Sequence, residues 1–147
     1  MTEVAFHFNA PDKLAYACRL LRKAVGAGAK AVVVGHPADL DRLDTQLWTF
    51  GPLEFVPHCR ADSPPELRAA SPVVLSAELT DDLPHREVLL NLGDQVVAGF
   101  ESFQRVIEVV SLEAEDRVAA RQRWKHYADR GYDLLRHDLQ LKDAAVG

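Results

Sequence analysis

Hydrophobic residues in the first third of the chain alternate between a strand pattern and a helix pattern. Val4 to Phe8 predicts a strand, and Asp12 to Val25 carries apolar residues three and four positions apart, as in an amphipathic helix. The run from Ala31 to Gly35 is continuous and rich in β-branched residues, which favours a strand buried on both faces of a parallel sheet. A second helix is predicted from Ala38 to Trp48. The order strand, helix, strand, helix implies right-handed βαβ connections.

The rest of the chain continues with strands and loops and closes with a helix. Further strands are predicted at Pro72 to Ser76, Val88 to Leu92 and Val106 to Val110, with a short helix at Gly99 to Phe103 and a closing helix from Ala114 to Arg130. The proline-containing stretches 61–70 and 78–86 are expected to be exposed loops. We predict an α/β fold over residues 1–140, a single three-layer α/β/α domain, Rossmann-like with a mostly parallel sheet, followed by a flexible tail at 141–147.

Composition narrows the functional classes. The formal net charge of the 147 residues is -5, which argues against general binding of a nucleic-acid backbone. Two cysteines without CxxC spacing are expected to be reduced thiols. The sequence has no signal-peptide pattern and no apolar run long enough to span a membrane, so we expect a cytoplasmic protein without a membrane partner.

Several motifs of catalytic and nucleotide-binding proteins are missing from the sequence. No GxGxxG follows the first strand, and neither a GxxxxGK[ST] phosphate loop nor a GxSxG elbow occurs. The six histidines show no spacing typical of zinc ligands. We therefore expect no catalytic residues, no cofactor and no metal, and a non-enzymatic function.

The closing helix carries an unusual face for an acidic protein. Arg117, Arg121, Trp124 and Lys125 fall at i, i+4, i+7 and i+8 and therefore share one side of the helix. Apart from Asp129, the acidic residues of this helix cluster in its first turn, where the helix dipole favours them. A ring flanked by cations suits an acidic ligand that ends in a hydrophobic group. The alternative is that Trp124 belongs to the core and the arginines form an ordinary solvated face.

A second candidate surface is rich in aromatic residues. Trp48, Phe50 and Phe55 surround a loop with prolines at positions 52 and 57. This segment is either a loop packed over the sheet edge or an exposed patch that another protein covers.

Taken together, these two segments resemble the chi subunit of the bacterial DNA polymerase III holoenzyme. The resemblance covers most of the chain, and its motifs are the strand Val4 to Phe8, Leu47-Trp48 followed by Phe55-Val56-Pro57-His58, Phe103 with Glu108-Val109-Val110, and Arg121-Gln122-Arg123-Trp124-Lys125-His126-Tyr127 followed by Gly131-Tyr132. The Trp…Phe-Val-Pro-His block and the Arg-x-Arg-aromatic-Lys-x-Tyr block are fairly specific in this order and spacing.

The resemblance implies a non-catalytic accessory protein of the clamp loader in DNA replication. It implies two partners, the psi subunit of the clamp loader and the acidic C-terminal tail of single-stranded DNA-binding protein, which ends in phenylalanine. Contact with single-stranded DNA would then be indirect. The family's tail-binding positions correspond to Val110, Arg121, Trp124 and Lys125, and its psi-facing aromatic positions to Trp48 and Phe55. Arg117 is expected to join the tail-binding residues, since the acidic part of the tail needs positive potential at the surface, which Arg117, Arg123 and Arg130 can provide. Trp124 stands where a tyrosine is common in the family.

Two other functions remain open from the residues alone. One is a nucleotide-binding α/β enzyme with a degenerate phosphate loop, for which Asn9, Asp12 and His36 lie at predicted carboxyl ends of strands. The other is direct binding of single-stranded DNA through Trp124 and the basic helix face.

Overall fold

The computed structural model of the protein describes residues 2–49 and 56–139. The predicted psi-facing residue Phe55 and the predicted tail at 141–147 lie outside the described residues.

The described residues form seven strands and four α-helices. The strands are β1 (Glu3–Ala10), β2 (Ala31–Val34), β3 (His58–Arg60), β4 (Val73–Ser76), β5 (Val88–Asn91), β6 (Arg105–Ser111) and β7 (Leu134–Asp138). The helices are α1 (Lys13–Gly26), α2 (Pro37–Thr49), α3 (Pro65–Ala70) and α4 (Ala114–Asp129), with a 3₁₀ turn at Phe100–Ser102.

All seven strands join one sheet in the order β3-β4-β2-β5-β6-β1-β7, and every neighbouring pair is parallel. This arrangement confirms the predicted α/β class with a parallel sheet. Each residue of β2 and of β4 is buried. The continuous hydrophobic runs of these segments predicted this burial, which is typical of strands covered on both faces. The edge strands are β3 and β7, at opposite ends of the sheet.

Helices cover both faces of the sheet, which gives three layers. Ala31 and Val33 of β2 belong to one hydrophobic cluster with the buried residues of α1 and α2. Val32 and Val34 belong to a second cluster, which includes the buried apolar residues of α4. The alternation along β2 follows the two-residue period of a strand, so one sequence segment supplies both cores.

Three short elements were not predicted. β3 is three residues long, and α3 replaces part of the exposed loop expected at 61–70, so that prediction was wrong for Pro65–Ala70. None of the six residues of α3 is buried, so the sequence has no amphipathic pattern there. β7 is an edge strand with no buried residue, and therefore lacks a hydrophobic run. The stretch 78–86 contains neither helix nor strand, as predicted.

Candidate functional site

Helix α4 presents its basic side to solvent because a few buried residues fix its orientation on the sheet. Ala120, Arg123 and Tyr127 are the buried positions, and they recur at the three- and four-residue spacing of one helix face. Gly131, with a φ of 82°, follows the helix in the left-handed conformation that glycine adopts readily. The Tyr132 N–H donates to the Tyr127 carbonyl at this turn, which directs the chain into β7.

A cavity of about 280 Å³ lies between α4, the end of β1 and β7. The residues that line it are Phe8, Asn9, Arg117, Arg121, Trp124 and Arg136. The structure thus brings together three of the residues that the sequence placed on one helix face, and adds three from two strands. We call this the aromatic cavity.

Aromatic rings form the floor of the aromatic cavity. The Trp124 ring lies 5.1 Å from the Phe6 ring and 6.1 Å from the Phe8 ring, measured between centroids, and Phe6 and Phe8 stack at 5.6 Å. Phe6 is fully buried, whereas Phe8 and Trp124 are partly exposed. Trp124 is therefore neither a core residue nor a free surface residue, because one part of the ring packs and another part lines the cavity.

The end of β1 is shaped by a bulge. His7 pairs with Val109 and Ala10 with Ser111, so β1 has one residue more than β6 across this interval. Asn9 lies inside the bulge with a φ of 66°, which is uncommon for a residue with a side chain. The side-chain amide nitrogen of Asn9 donates a hydrogen bond to the Asp138 carboxylate at 3.0 Å. The bulge and this hydrogen bond place Phe8 and Asn9 against the cavity.

Two predicted tail-binding residues lie outside the cavity lining. Lys125 is exposed on α4, one residue beyond Trp124. Val110 has no exposed surface, because β6 is a central strand covered by α4. Val110 lies in the hydrophobic cluster against which Trp124 packs, so it presents no surface of its own to a ligand.

Arg123 differs from the other basic residues of α4, and its expected role on the surface was wrong. Its side chain is 2% exposed and its Nε donates to Glu108 Oε1 at 3.0 Å. Tyr127 and Asn91 donate to the same carboxylate, at 2.6 Å and 3.0 Å. Burial raises the pKa of Glu108, while Arg123 and the other donors favour its charged form. This network joins α4 to β5 and β6.

The aromatic cavity is strongly cationic. Among the described residues, none of those lining it is acidic, whereas three are arginines. The Arg136 guanidinium lies 5.0 Å from the Phe8 ring centroid. Three positive charges beside an aromatic floor are chemically suited to an anion that also carries an apolar group.

A larger cavity, of about 550 Å³, lies at the carboxyl ends of the strands, where nucleotide-binding α/β proteins place their ligand. Asp12 and His36 line this cavity, but Asn9 lies in the aromatic cavity instead, so the three residues proposed for a nucleotide site are separated. Carboxylates dominate its lining, from Asp12, Asp39, Asp94, Glu113, Glu115 and Asp116. They oppose the binding of phosphate groups.

Trp48 lies at the end of α2, beside the edge strand β3. It is 60% exposed, and its ring centroid is 5.3 Å from that of His58. The ring nitrogens of His58 lie 2.6 Å from an Asp44 carboxylate oxygen and 2.6 Å from the Val56 carbonyl oxygen. Trp48 therefore presents an indole on the surface next to a fixed, buried ring.

Sequence reasoning missed Phe8, Asn9 and Arg136 as cavity residues. In the sequence, Phe8 is recognisable only as the end of the first predicted strand. Arg136 is recognisable only as a cation that follows two leucines shortly after Gly131. Over the described ranges, no cluster of three potential metal ligands occurs. No helix in the part of the chain that the structure describes has the length and hydropathy needed to cross a membrane.

The sequence is similar to a family of known proteins. The family described as "DNA polymerase III chi subunit, HolC" matches residues 1–135. A relative from Pseudomonas aeruginosa, named DNA polymerase III subunit chi, is 33% identical over 95% of this chain and 98% of its own length. Relatives with the same name from Haemophilus influenzae and Escherichia coli are 27% and 30% identical, covering 80% and 63% of this chain and 81% and 62% of their own lengths. The chain belongs to the DNA polymerase III chi subunit family.

Proposed function

We propose that this member of the chi subunit family is a non-catalytic bridge between the clamp loader and single-stranded DNA-binding protein. In this proposal, the aromatic cavity binds the acidic C-terminal tail of single-stranded DNA-binding protein. The observation that carries it is the cavity lining, in which three arginines surround two partly exposed rings without an acidic residue among the described positions.

The chemistry of the cavity matches a peptide that ends in phenylalanine. The terminal ring packs against Trp124 and Phe8, and its free carboxylate accepts charge-assisted hydrogen bonds from Arg121 or Arg117. Lys125 lies on the same helix side as Arg121 and attracts the acidic residues upstream in the peptide. Val110 contributes by supporting the cluster beneath Trp124. We expect a weak interaction, on the order of micromolar or about -8 kcal/mol.

Trp48 is the proposed contact for the psi subunit. It packs beside β3, whereas the aromatic cavity borders β7, and these are opposite edges of the seven-stranded sheet. With neighbouring strands about 4.8 Å apart, six intervals separate the two edges by roughly 29 Å. Two partners can therefore bind at once without meeting, as a bridge requires. Phe55 remains a prediction for the same contact.

Contact with single-stranded DNA is proposed to be indirect. The chain has a formal net charge of -5, and a backbone-binding groove needs a longer cationic track than one cavity. The three arginines of the cavity are sufficient for a short acidic peptide.

Fluorescence anisotropy tests the tail-binding proposal. A labelled acidic peptide ending in Asp-Ile-Pro-Phe is titrated with the protein, alongside a control peptide that lacks the final Phe. We expect binding to require the Phe and to weaken at least tenfold in Arg121→Ala, because the variant removes a charge-assisted contact of about 1.5–3 kcal/mol. Lys125→Ala should weaken binding less, since Lys125 lies outside the cavity lining.

Lys30→Ala is the matched control, because Lys30 is an exposed cation beyond the end of α1 and away from the cavity. It should bind the peptide as the parent protein does. If Arg121→Ala and Lys30→Ala behave alike, or if the parent protein shows no binding at tens of micromolar peptide, the tail-binding proposal is wrong.

A further inference from the structure

Arg136 is the cation of the aromatic cavity that does not belong to the basic helix. It lies on β7, the edge strand, and so approaches the cavity from a different element than Arg117 and Arg121 of α4. A ligand held by α4 alone would leave this third guanidinium without an anionic partner. The arrangement suggests two separate acidic groups on the ligand.

The position of the Arg136 guanidinium is supported by contacts within the protein. It lies over the face of Phe8, which stacks on the buried Phe6. Arg136 pairs in register with Phe6 across β1 and β7, so backbone pairing holds its Cα beside this aromatic stack. When an arginine guanidinium lies over an aromatic ring, the N–H groups at the edge of the planar guanidinium remain available as hydrogen-bond donors.

Asp138, the acidic residue of β7, has a hydrogen-bond partner on β1. Asp138 accepts a hydrogen bond from the Asn9 side chain, at the bulge that ends β1. Asp138 is not among the residues that line the aromatic cavity. Arg136 also borders a neighbouring cavity that Asp138 lines. In the described lining of the aromatic cavity itself, no acidic residue neutralises the charge of Arg136.

We propose that Arg136 is a specificity-determining residue that recognises an acidic side chain a few residues before the ligand's C-terminus, while α4 binds the terminal carboxylate. This inference rests on the proposed tail-binding function. Because an extended chain advances about 3.3 Å per residue, an acidic residue two to four positions before the end can reach the opposite wall of a cavity this small. The cavity would then distinguish an acidic tail from a merely hydrophobic C-terminus.

A double-mutant cycle tests this pairing. The anisotropy titration is repeated with Arg136→Gln, using the peptide ending in Asp-Ile-Pro-Phe and a second peptide in which that Asp is Asn. We expect Arg136→Gln to weaken binding of the Asp peptide about five- to tenfold, because it removes a charge-assisted hydrogen bond at a partly screened position. The same variant should weaken the Asn peptide less than about twofold, since the pairing is already absent.

Two further variants separate specific pairing from general charge. Arg130→Gln removes one exposed cation from the end of α4, outside the cavity lining, and should leave the Asp peptide within about twofold of the parent affinity. Arg136→Lys keeps the charge and should restore only part of the binding, because the planar fork is lost.

The outcomes also separate this inference from the function on which it rests. If the parent protein binds the peptide and Arg136→Gln binds it equally well, the role of Arg136 is wrong and tail binding stands. If Arg136→Gln weakens both peptides by the same factor, Arg136 supplies only general charge and the pairing is likewise wrong. If the parent protein binds neither peptide, both proposals fail.

Discussion

The guanidinium of Arg123 and the carboxylate of Glu108 form an ion pair inside the protein, with Nε 3.0 Å from Oε1 and both side chains almost fully buried. Arg123 lies on α4 and Glu108 on β6, so the pair fixes the rotation of the helix on the sheet. Arg121 lies two residues before Arg123 in the sequence, and Trp124 directly follows it. The buried pair thus helps to determine which side of α4 faces the aromatic cavity.

Removing one member of this pair should be strongly destabilising. We expect Arg123→Ala to lower the free energy of unfolding by about 3–5 kcal/mol, because Glu108 would be left as an uncompensated buried charge. Urea denaturation measures the difference. Arg121→Ala, two residues away but exposed, should change the free energy of unfolding by less than about 0.5 kcal/mol. Equal effects of the two variants would contradict the structural role of Arg123.

Asp116 gives a pH-dependent contribution to stability. Its pKa is lowered because, although burial acts in the opposite direction, the Ser111 N–H donates to its carboxylate at 2.7 Å and Lys13 pairs with it at 3.2 Å. A carboxyl group with a lowered folded-state pKa stabilises the protein above its unfolded pKa of about 3.9, and this stabilisation disappears as pH falls through the folded value.

Comparison of Asp116→Asn with the parent protein tests this dependence. At pH 7 the variant should unfold with a free energy lower by about 1–2 kcal/mol, because charge-assisted contacts are lost. The difference should shrink as pH falls below about 4, because Asp116 of the unfolded chain is then protonated, and it should vanish once the pH falls below the lowered pKa of the folded protein. Urea midpoints at pH 7 and pH 3 measure it. A difference that is the same at both pH values would show that the Asp116 charge contributes nothing.

The proposed tail binding should depend on salt. Between about 0.1 M and 1 M ionic strength the Debye length falls from roughly 10 Å to roughly 3 Å, so exposed arginines attract the acidic peptide less. We expect the dissociation constant to rise several-fold over this range in an anisotropy titration. The contact of the terminal Phe is apolar and should persist. Binding that strengthens with salt would indicate a hydrophobic site in which the arginines have no role.

Trp48 is expected to contribute to binding of the psi subunit and to contribute little to the stability of the fold. We expect Trp48→Ala to change the free energy of unfolding by less than about 1 kcal/mol, since most of the indole is exposed. The same variant should lose most of its binding to the psi subunit, measured by size-exclusion chromatography of the mixed proteins, because exposed tryptophans at interfaces are frequent hot spots. Arg121→Ala is the control and should still co-elute with psi. If Trp48→Ala co-elutes with psi as the parent protein does, Trp48 is not part of the contact.

Much of the fold could be predicted from hydrophobic patterning. The strands β1, β2, β4, β5 and β6 contain runs of consecutive buried residues, and the helices α1, α2 and α4 have buried residues at three- to four-residue spacing. The edge strands β3 and β7 and the short helix α3 do not, because they are small or exposed. Strand order could not be derived, since periodicity describes each element but not its neighbours.

The site was predictable only where its residues share one helix. Arg117, Arg121 and Trp124 are close in sequence, so helical spacing was enough to group them. Phe8 and Arg136 join them through the pairing of β1 with β7, which spans more than 120 positions of the sequence. The same helix spacing could not distinguish Arg123 from its exposed neighbours, because its burial depends on Glu108 in another strand.

Nuclear magnetic resonance of the two tryptophan indoles tests the central claim most directly. The chain has two tryptophans, Trp124 in the aromatic cavity and Trp48 near the opposite edge of the sheet. Titration of the ¹⁵N-labelled protein with the acidic peptide should shift the Trp124 indole N–H signal to saturation and leave the Trp48 signal unchanged. A peptide that shifts the Trp48 signal, or binds without affecting Trp124, would contradict the assignment of the aromatic cavity as the tail-binding site.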